Sequence, residues 1–392
     1  MASLTFFPVG NGDMALITLD NGQTILIDTN IRAAADDPND DTQDVAAELR
    51  ERLKTDSKGR KFVDALLVSH PDADHVTGLT KHFHLGSPDN FPENNEDDLI
   101  LIREMWSSPI VFRRASTQHK LCQEAKAWAT EARRRVERFR EIGMDTVEGD
   151  RILILGKDKD NKTDDIMDIV IECKELITKV NRVNANAFEG RLLAPIYIEE
   201  EDDPLLDVLE KNNSSVIIRF SIKGDGIADR CRFLSGGDAG VAIWERLWQR
   251  HSKDENTDWL SYDIMETPHH CSWRTLSYDR WSELGEKVKV CKDARSALSQ
   301  TREGAVIVAS CNPIKKEEPN PPHERAKREY LTMVDGSDER FICTSEYSGA
   351  EERPLEFKVS SLGTTKVQKL TKKVAAAAVG VSSVSTSARA HG

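Results

Sequence analysis

Four side chains able to bind a divalent metal ion fall within six consecutive residues of this chain, at His70, Asp72, Asp74 and His75 in the run HPDADH. Imidazole nitrogens and carboxylate oxygens are ligands that zinc and manganese take in proteins. The run follows VDALLVS, an apolar segment that predicts a buried strand. A polar loop with capping aspartates is the alternative interpretation. The density of ligand types favours a metal site.

Further ligand types stand at the ends of other predicted strands. Asp28 ends TILID, Asp238 follows FLSGG, and His269 and His270 follow DIMETP. The two glycines before Asp238 let the backbone turn tightly. Because strand ends can converge on one rim of a sheet sandwich, we expect these side chains to join HPDADH in a single cleft.

The elements that must position these side chains are predicted from hydrophobic patterns. Apolar runs alternating with turn residues over 2–30 predict hairpins, and Gly10-Asn11-Gly12-Asp13 is interpreted as a hairpin turn. Helices are predicted near 42–54, over 240–251 and after PPHER. Later strands are predicted at SSVIIRFSI, CRFLSGGD, AVIVAS, FICTS and LEFKVS. This mixture predicts the α/β class.

The middle of the chain differs in composition from both sides. Acidic stretches flank AKAWATEARRRVERFREIG, which has helical spacing, so residues 86–190 are predicted to form a mostly helical insertion. Residues 1–85 and 191–361 are then expected to form one hydrolase domain. The tail 362–392 is rich in Ala, Ser, Val and Lys without any aromatic residue, which predicts disorder.

Composition restricts the class of protein. No apolar run is long enough to predict a membrane span, and the N-terminal residues read as a first strand, so a cytoplasmic protein is expected. The seven cysteines show no CxxC spacing, which agrees with a reducing compartment. A formal net charge of -13 weighs against nonspecific coating of nucleic acid, although it leaves a nuclease open. No Walker or dinucleotide-binding motif occurs.

The ordered series of motifs resembles the metallo-β-lactamase superfamily, in particular the branch that contains the nuclease domain of the bacterial competence DNA-uptake channel. The resemblance covers roughly residues 3–85 and 205–360, through FFPVGNGDMALI, ILIDTN, LLVSHPDADHVTGL, NNSSVIIRF, FLSGGDA, PHHCS and PPHERAKREYL. As in that branch, Asp72 stands where the wider superfamily has a second His. Cys271 replaces the glycine of the branch's HHGS motif. The resemblance implies an αββα sandwich with two divalent metal ions, Zn or Mn.

The resemblance also implies a ligand set. His70 and Asp72 would bind the first ion, Asp74 and His75 the second, and Asp238 both. His269 is the expected remaining ligand of the second ion, with His270 as the alternative. NNSS stands where the superfamily has a further His, so Asn212 or Asn213 would lie near the first ion. Asp28 would accept a hydrogen bond from a ligating imidazole.

The activity implied is phosphodiester hydrolysis by a metal-activated hydroxide, with DNA as the expected substrate. Asp74, His270 and His323 are the predicted catalytic residues, with His270 or His323 protonating the leaving alkoxide. For His323, a plain helix-start residue is the equal alternative. A small-molecule hydrolase acting on cyclic nucleotides or esters is a second hypothesis. A third is an effector or regulatory subunit of a larger complex, such as an antiphage defence system, with a protein partner or a homo-oligomer.

Overall fold

The chain is mixed α/β, and its computed structural model describes residues 1–37, 39–112, 121–158, 161–185, 188–196, 214–316, 320–351 and 353–368. Within these ranges the strands are β1 Ala2–Phe6, β2 Ala15–Thr18, β3 Thr24–Ile27, β4 Thr29–Asn30, β5 Phe62–Val68, β6 Phe83–His84, β7 Ile100–Ser107, β8 Arg151–Leu155, β9 Val170–Ile171, β10 Leu176–Ile177, β11 Lys179–Val180, β12 Val183–Asn184, β13 Phe188–Ala194, β14 Ile217–Gly224, β15 Ile227–Ser235, β16 Tyr262–Glu266, β17 Thr301–Ala309, β18 Phe341–Cys343, β19 Leu355–Ser360 and β20 Gly363–Lys366. The helices are α1 Val45–Arg52, α2 Ala73–Val76, α3 Leu79–His82, α4 Gln123–Ile142, α5 Val241–Lys253, α6 Trp281–Leu284, α7 Lys292–Leu298, α8 Glu324–Met333 and α9 Thr344–Glu351.

Local sequence explains where these elements begin and end. The predicted helix near 42–54 is confirmed as α1, whose first turn is capped by Asp44, because the Ala47 backbone N–H donates to Asp44 Oδ1 at 2.9 Å. Arg50 and Arg52 lie in its last turn, where cations offset the negative end of the helix dipole. The predicted strand before HPDADH is confirmed as β5, in which every residue is buried.

Most strands belong to two mixed sheets. The first has the order β20-β19-β1-β2-β3-β5-β7-β8-β9, with β6 pairing β7, and the second has the order β10-β13-β14-β15-β16-β17-β18. In the first sheet, the strands from β3 to β9 pair in parallel and the rest are antiparallel. In the second, the strands from β15 to β18 pair in parallel. Parallel strands place their carboxyl ends at one edge, where connecting loops carry function.

Apolar side chains fill the space between the sheets and cover the outer face of each sheet. Phe6 on β1 meets Phe233 on β15 edge to face, with ring centroids 5.6 Å apart, and both belong to a core cluster shared by the two sheets. A second cluster contains residues of α1 and α4 with the first sheet, and a third contains residues of α5, α7 and α8 with the second sheet. Each fully buried Leu, Ile or Phe stabilises such a layer by roughly 1.5–3 kcal/mol.

The segment 86–190 differs from the predicted mostly helical insertion. Its predicted helix is present as α4, but β7 and β8 from the same segment extend the first sheet beside β5. The run ILIREMWS is apolar enough to form a strand buried on both faces. The acidic loop before it does not prevent this strand from joining the sheet. This segment is therefore part of the sheet framework.

The predicted disordered tail also differs at its start. Residues 363–366 form β20, which pairs with β19 through backbone hydrogen bonds that need no apolar side chains. Residues 369–392 lie outside the described part of the chain. Among the described helices, none combines the length and the apolar character needed to cross a bilayer.

Candidate metal centre

The predicted ligand residues follow strands that end at one rim of the two sheets. β3 and β5 pair in parallel, so Asp28 after β3 lies beside Ser69 and His70 after β5. β15 and β16 also pair in parallel, and Asp238 and His270 lie in the loops that follow them. A backbone hydrogen bond from His269 N–H to Gly237 O, at 2.9 Å, joins these two loops.

HPDADH forms a tight turn followed by a single helical turn. The Asp72 backbone N–H donates to His70 O at 3.0 Å, and α2 begins directly afterwards at Ala73. Asp74 and His75 lie on α2, where the imidazole is fully buried and the Asp74 side chain is 40% exposed. The turn separates His70 and Asp72 from Asp74 and His75, and both pairs remain near the same carboxylate.

That shared carboxylate is Asp238, whose two oxygens face two groups of histidines. Oδ1 lies 3.0 Å from His75 Nε2 and 3.4 Å from His270 Nε2. Oδ2 lies 3.6 Å from His70 Nε2 and 3.6 Å from His269 Nε2. A carboxylate placed in this way can contribute one oxygen to each of two cations.

An aspartate accompanies each group of histidines. On the Oδ1 side, Asp74 Oδ2 lies 3.3 Å from His270 Nε2. On the Oδ2 side, Asp72 Oδ2 lies 3.9 Å from His70 Nε2. The structure thus brings together all six residues predicted as metal ligands, and His270, the predicted alternative to His269, lies among them.

Buried nitrogens support metal binding at this position. The Nε2 atoms of His70 and His270 are buried, and neither makes a hydrogen bond to any described residue. An unsatisfied buried imidazole nitrogen is costly, and a divalent cation would satisfy it. Asp74, His75, Asp238 and His270 each offer one ligand atom, and these four atoms lie within 4.8 Å of one another. These buried His and Asp groups could therefore hold metal ions.

The charges of the cluster shift its titration strongly. Burial lowers the pKa of His75, but the carboxylates of Asp238 and Asp28 outweigh it and raise that pKa well above the usual range. Burial would raise the pKa of Asp238, but the neighbouring imidazoles of His75 and His270 hold it well below the usual range. Burial, assisted by the neighbouring His75, lowers the pKa of His70 to about 3. Carboxylates and imidazoles therefore stabilise one another's charges in the metal-free protein.

Asp28 orients His75 from behind. His75 Nδ1 donates to Asp28 Oδ2 at 2.8 Å, and Ser69 binds the same carboxylate through its hydroxyl at 2.6 Å and its backbone N–H at 2.7 Å. Because Nδ1 is engaged by Asp28, Nε2 is the ring nitrogen that faces Asp238, and it would bind an ion once its proton is displaced. This hydrogen bond is the contact that the resemblance implied for Asp28.

Asp13 plays a comparable part that the sequence interpretation missed. Its Oδ1 lies 3.2 Å from His270 Nδ1, and its backbone N–H donates to Asp74 O at 3.3 Å. The run GNGD was interpreted only as a hairpin turn. A side chain at Gly12 would clash with Asn30 and approach Asp74 O to 2.8 Å, so this turn lies against the HPDADH loop. The sequence feature that could have indicated this role is an aspartate at the end of the turn between two apolar strands.

Glu266 is a second buried acid that was missed. It ends β16, is 2% exposed, and accepts a hydrogen bond from the Ser310 hydroxyl at 2.6 Å. Burial and the nearby carboxylate of Asp13 raise its pKa well above the usual range. This raised pKa favours the neutral acid, which would add no further negative charge beside Asp13 and Asp28. Its place directly before TPHH was the only signal in the sequence.

The loop after β16 has an unusual backbone. His269, His270 and Cys271 have φ values of 52°, 53° and 65°, which lie in the left-handed region. Each non-glycine residue there costs roughly 1–2 kcal/mol. Cys271 thus adopts a conformation that a glycine would adopt with less strain. This turn directs the two adjacent imidazoles to opposite sides of Asp238.

Of the remaining predicted positions, the structure describes His323. His323 immediately precedes α8, where its Nδ1 accepts from the Arg325 backbone N–H at 3.1 Å, and its ring packs on Trp281 at 4.9 Å. It is a helix-start residue held near the loop by its backbone N–H, which donates to Cys271 O at 3.1 Å. Its catalytic role stays a prediction. Asn212 and Asn213 lie outside the described residues.

Comparison with known proteins adds no family. Neither the protein-family models nor the curated proteins include a match to this chain.

Proposed function

We propose that this chain is a dinuclear metallohydrolase of the metallo-β-lactamase type, with an αββα arrangement, that cleaves phosphodiester bonds in DNA. The observation that carries the proposal is the placement of Asp238, which presents Oδ1 to His75 and His270 and Oδ2 to His70 and His269. Core clusters on both faces of each sheet support the layered arrangement. The motif resemblance supports the choice of substrate.

Each metal ion would have its own protein ligands. His70, Asp72 and His269 would hold one ion, Asp74, His75 and His270 would hold the other, and Asp238 would contact both. This assignment differs from the expected use of His269 for the second ion, because His270 is the residue that lies 3.3 Å from Asp74. When bound, the ions would lower the pKa of a water molecule and neutralise phosphate oxygens. With several carboxylates among the ligands, the set favours manganese relative to an all-imidazole site.

The chain's own residues would hold the ligand set in one geometry. His75 Nδ1 is hydrogen-bonded to Asp28, and His270 Nδ1 lies 3.2 Å from Asp13 Oδ1, so in both rings Nε2 is the nitrogen that would bind an ion. The partly exposed Asp74 marks the side of the centre that a substrate can reach. The buried histidines exclude water from the other side. Such preorganisation is what a hydrolytic centre requires.

Metal content and cleavage should be measured on the same preparations. Protein loaded with Mn, Zn or Mg is expected to bind two ions per chain, and to hydrolyse bis-p-nitrophenyl phosphate and linear or circular DNA. RNA and cyclic dinucleotides complete the substrate panel. Asp74→Ala and His270→Ala should lose activity and one ion, while His269→Ala should lose the other ion.

Asp293→Asn is a matched control, since Asp293 lies on α7 in an exposed contact with Gln249. It should retain both ions and full activity. Absence of metal binding would overturn the whole proposal. Metal binding with cleavage of small phosphodiesters alone would overturn the choice of DNA as substrate.

A further inference from the structure

A cavity of about 540 Å³ lies on the outer face of the second sheet, away from the metal centre. Phe220 and Ile222 on β14 face the first sheet, so the alternating side chains of Arg219, Ser221 and Lys223 point to the opposite face. These three residues line the cavity, together with Arg191 on β13. Its lining includes none of the residues assigned to the metal centre.

Arg219 is a buried cation at the base of this cavity. Arg219 is 6% exposed, and its Nε and Nη1 atoms make no hydrogen bond to any residue that the structure describes. Burial and the neighbouring charges of Arg232 and Arg191 lower the pKa of Arg219 to about 10. Burying guanidinium nitrogens without hydrogen-bond partners costs folding free energy, and a bound anion would offset that cost.

Two of the three carboxylates that line the cavity already have another partner. Arg232 contacts Asp229 at 2.8 Å and Asp258 at 2.7 Å, which leaves these two acids engaged with one arginine. Arg219 gains only a longer-range benefit from these two acids, and Arg191 gains one from Asp258 and from Glu189, the third acid of the lining. The described lining thus holds four cationic side chains and three carboxylates, and this excess of positive charge favours an additional anion.

A contact with Trp259 fixes the position of Arg191 beside the cavity. Its guanidinium carbon lies 3.9 Å from the ring centroid of Trp259, a cation–π contact that fixes the planar group. Its Nε atom is also buried without a hydrogen-bond partner among the described residues. Two guanidinium groups with unused donors thus adjoin one cavity. Arginine donors in this state suit the oxygens of a phosphate group.

We propose that this cavity binds a small phosphate monoester, with its phosphate between Arg219 and Arg191. The volume of about 540 Å³ falls in the usual range for small-molecule sites and leaves room for an organic group beside the phosphate. Thr178, Asn184 and Ser221 supply uncharged polar groups along the same wall. The proposal is independent of the hydrolytic function, since it uses different residues.

Calorimetric titration with inorganic phosphate and with adenosine monophosphate tests the site. The metal centre could bind phosphate as well, so the full chain and its Asp238→Asn variant are titrated in parallel. A phosphate site that persists in Asp238→Asn and weakens about tenfold or more in Arg219→Met or Arg191→Met is the expected result. Arg280→Gln, which removes a side chain that is 75% exposed, should bind as the unmodified chain does.

The absence of phosphate binding in Asp238→Asn, or unchanged binding in both arginine variants, would overturn the proposal. Thermal unfolding separates a ligand site from a structural role. Without phosphate, Arg219→Met should melt at the same or a higher temperature than the unmodified chain, because it removes an unpaired buried charge. Phosphate should raise the Tm of the unmodified chain but not that of Arg219→Met. A lower Tm of Arg219→Met without phosphate would show that Arg219 is structural.

Discussion

His75 Nε2 lies 3.0 Å from Asp238 Oδ1, although the two residues are 163 positions apart in the chain. One follows β5 in the first sheet, and the other follows β15 in the second. The contact therefore joins the two sheets at the rim where the candidate metal centre lies. Anything that moves one sheet relative to the other would change the distance between these two candidate ligands.

Replacing Asp238 should impair binding of both ions. Asp238→Asn removes the carboxylate charge that faces both groups of histidines, and we expect each metal affinity to fall on the order of 100-fold or more. Metal content after dialysis, measured by plasma mass spectrometry, checks this. Loss of one ion only would mean that Asp238 does not contact both.

Asp28→Asn should weaken metal binding without removing a ligand. The amide cannot accept the His75 Nδ1–H bond with the same strength, so His75 loses its fixed tautomer. Changes of this kind typically cost about 10–100-fold in metal affinity. Competition with a chromophoric chelator measures the affinity, and circular dichroism confirms the fold. An affinity equal to that of the unmodified chain would contradict the orienting role.

Metal binding should release protons, and its apparent affinity should rise with pH. In the metal-free protein the pKa values of His75 and His270 are raised by Asp238, with Asp28 and Asp13 contributing, so both imidazoles are protonated at neutral pH. A raised pKa in the folded state stabilises the metal-free protein below the unfolded value of about 6.5, and this contribution is lost as the pH rises through the folded value. Since metals bind neutral imidazole, they displace these protons.

Calorimetry in two buffers of different ionisation enthalpy measures the proton release. The observed binding enthalpy should depend on the buffer at pH 7. A buffer-independent enthalpy would contradict the raised pKa values.

Glu131→Gln should destabilise the fold without affecting the metal centre directly. Glu131 is 4% exposed and accepts hydrogen bonds from Arg134 and from the buried Arg135, both at 2.7 Å. Removing one partner of a buried ion pair costs about 3–5 kcal/mol in the free energy of unfolding. Urea denaturation at pH 7 measures it. Glu137→Gln, at a side chain 64% exposed, is the control and should change that free energy by less than about 1 kcal/mol.

The same pair predicts a pH dependence of stability. Burial raises the pKa of Glu131, but the hydrogen bond from Arg134 and the charge of Arg135 outweigh it and lower that pKa. A lowered pKa in the folded state contributes stability above the unfolded value of about 4.3, and the contribution is lost as the pH falls through the folded value. The difference in unfolding free energy between Glu131→Gln and the unmodified chain should therefore shrink in acid.

Gly12→Ala should disturb the metal centre through the backbone. The added methyl group would clash with Asn30 and approach Asp74 O to 2.8 Å, so the GNGD turn must move away from α2. We expect a loss of about 1–3 kcal/mol in stability and weaker metal binding. Gly349→Ala has no heavy atom within 4 Å of the new methyl group and should be neutral or slightly stabilising. Equal behaviour of the two variants would contradict the proposed packing.

Much of the framework could be predicted from local patterns. The strand before HPDADH, the helices α1, α5 and α8, and the strands β14 to β19 follow from apolar runs and turn residues that act over a few positions. The strands in 86–190 were missed because charged neighbours hid the apolar run ILIREMWS. Whether such a run becomes a strand depends on a sheet edge that accepts it, and this edge is supplied by β5.

The sequence by itself determined which residue types stand at strand ends, and so the chemistry of the candidate centre. Tertiary structure alone decided which histidines face each oxygen of Asp238. The left-handed turn at His269 to Cys271 sends His270 toward Asp74 and His269 toward the other oxygen of Asp238. The tertiary structure also placed Asp13 beside His270, and left two nitrogens of Arg219 without a hydrogen bond to any described residue. The physical reason is that residue type and strand periodicity are local properties, whereas the direction of a loop side chain depends on backbone angles and neighbours from distant segments.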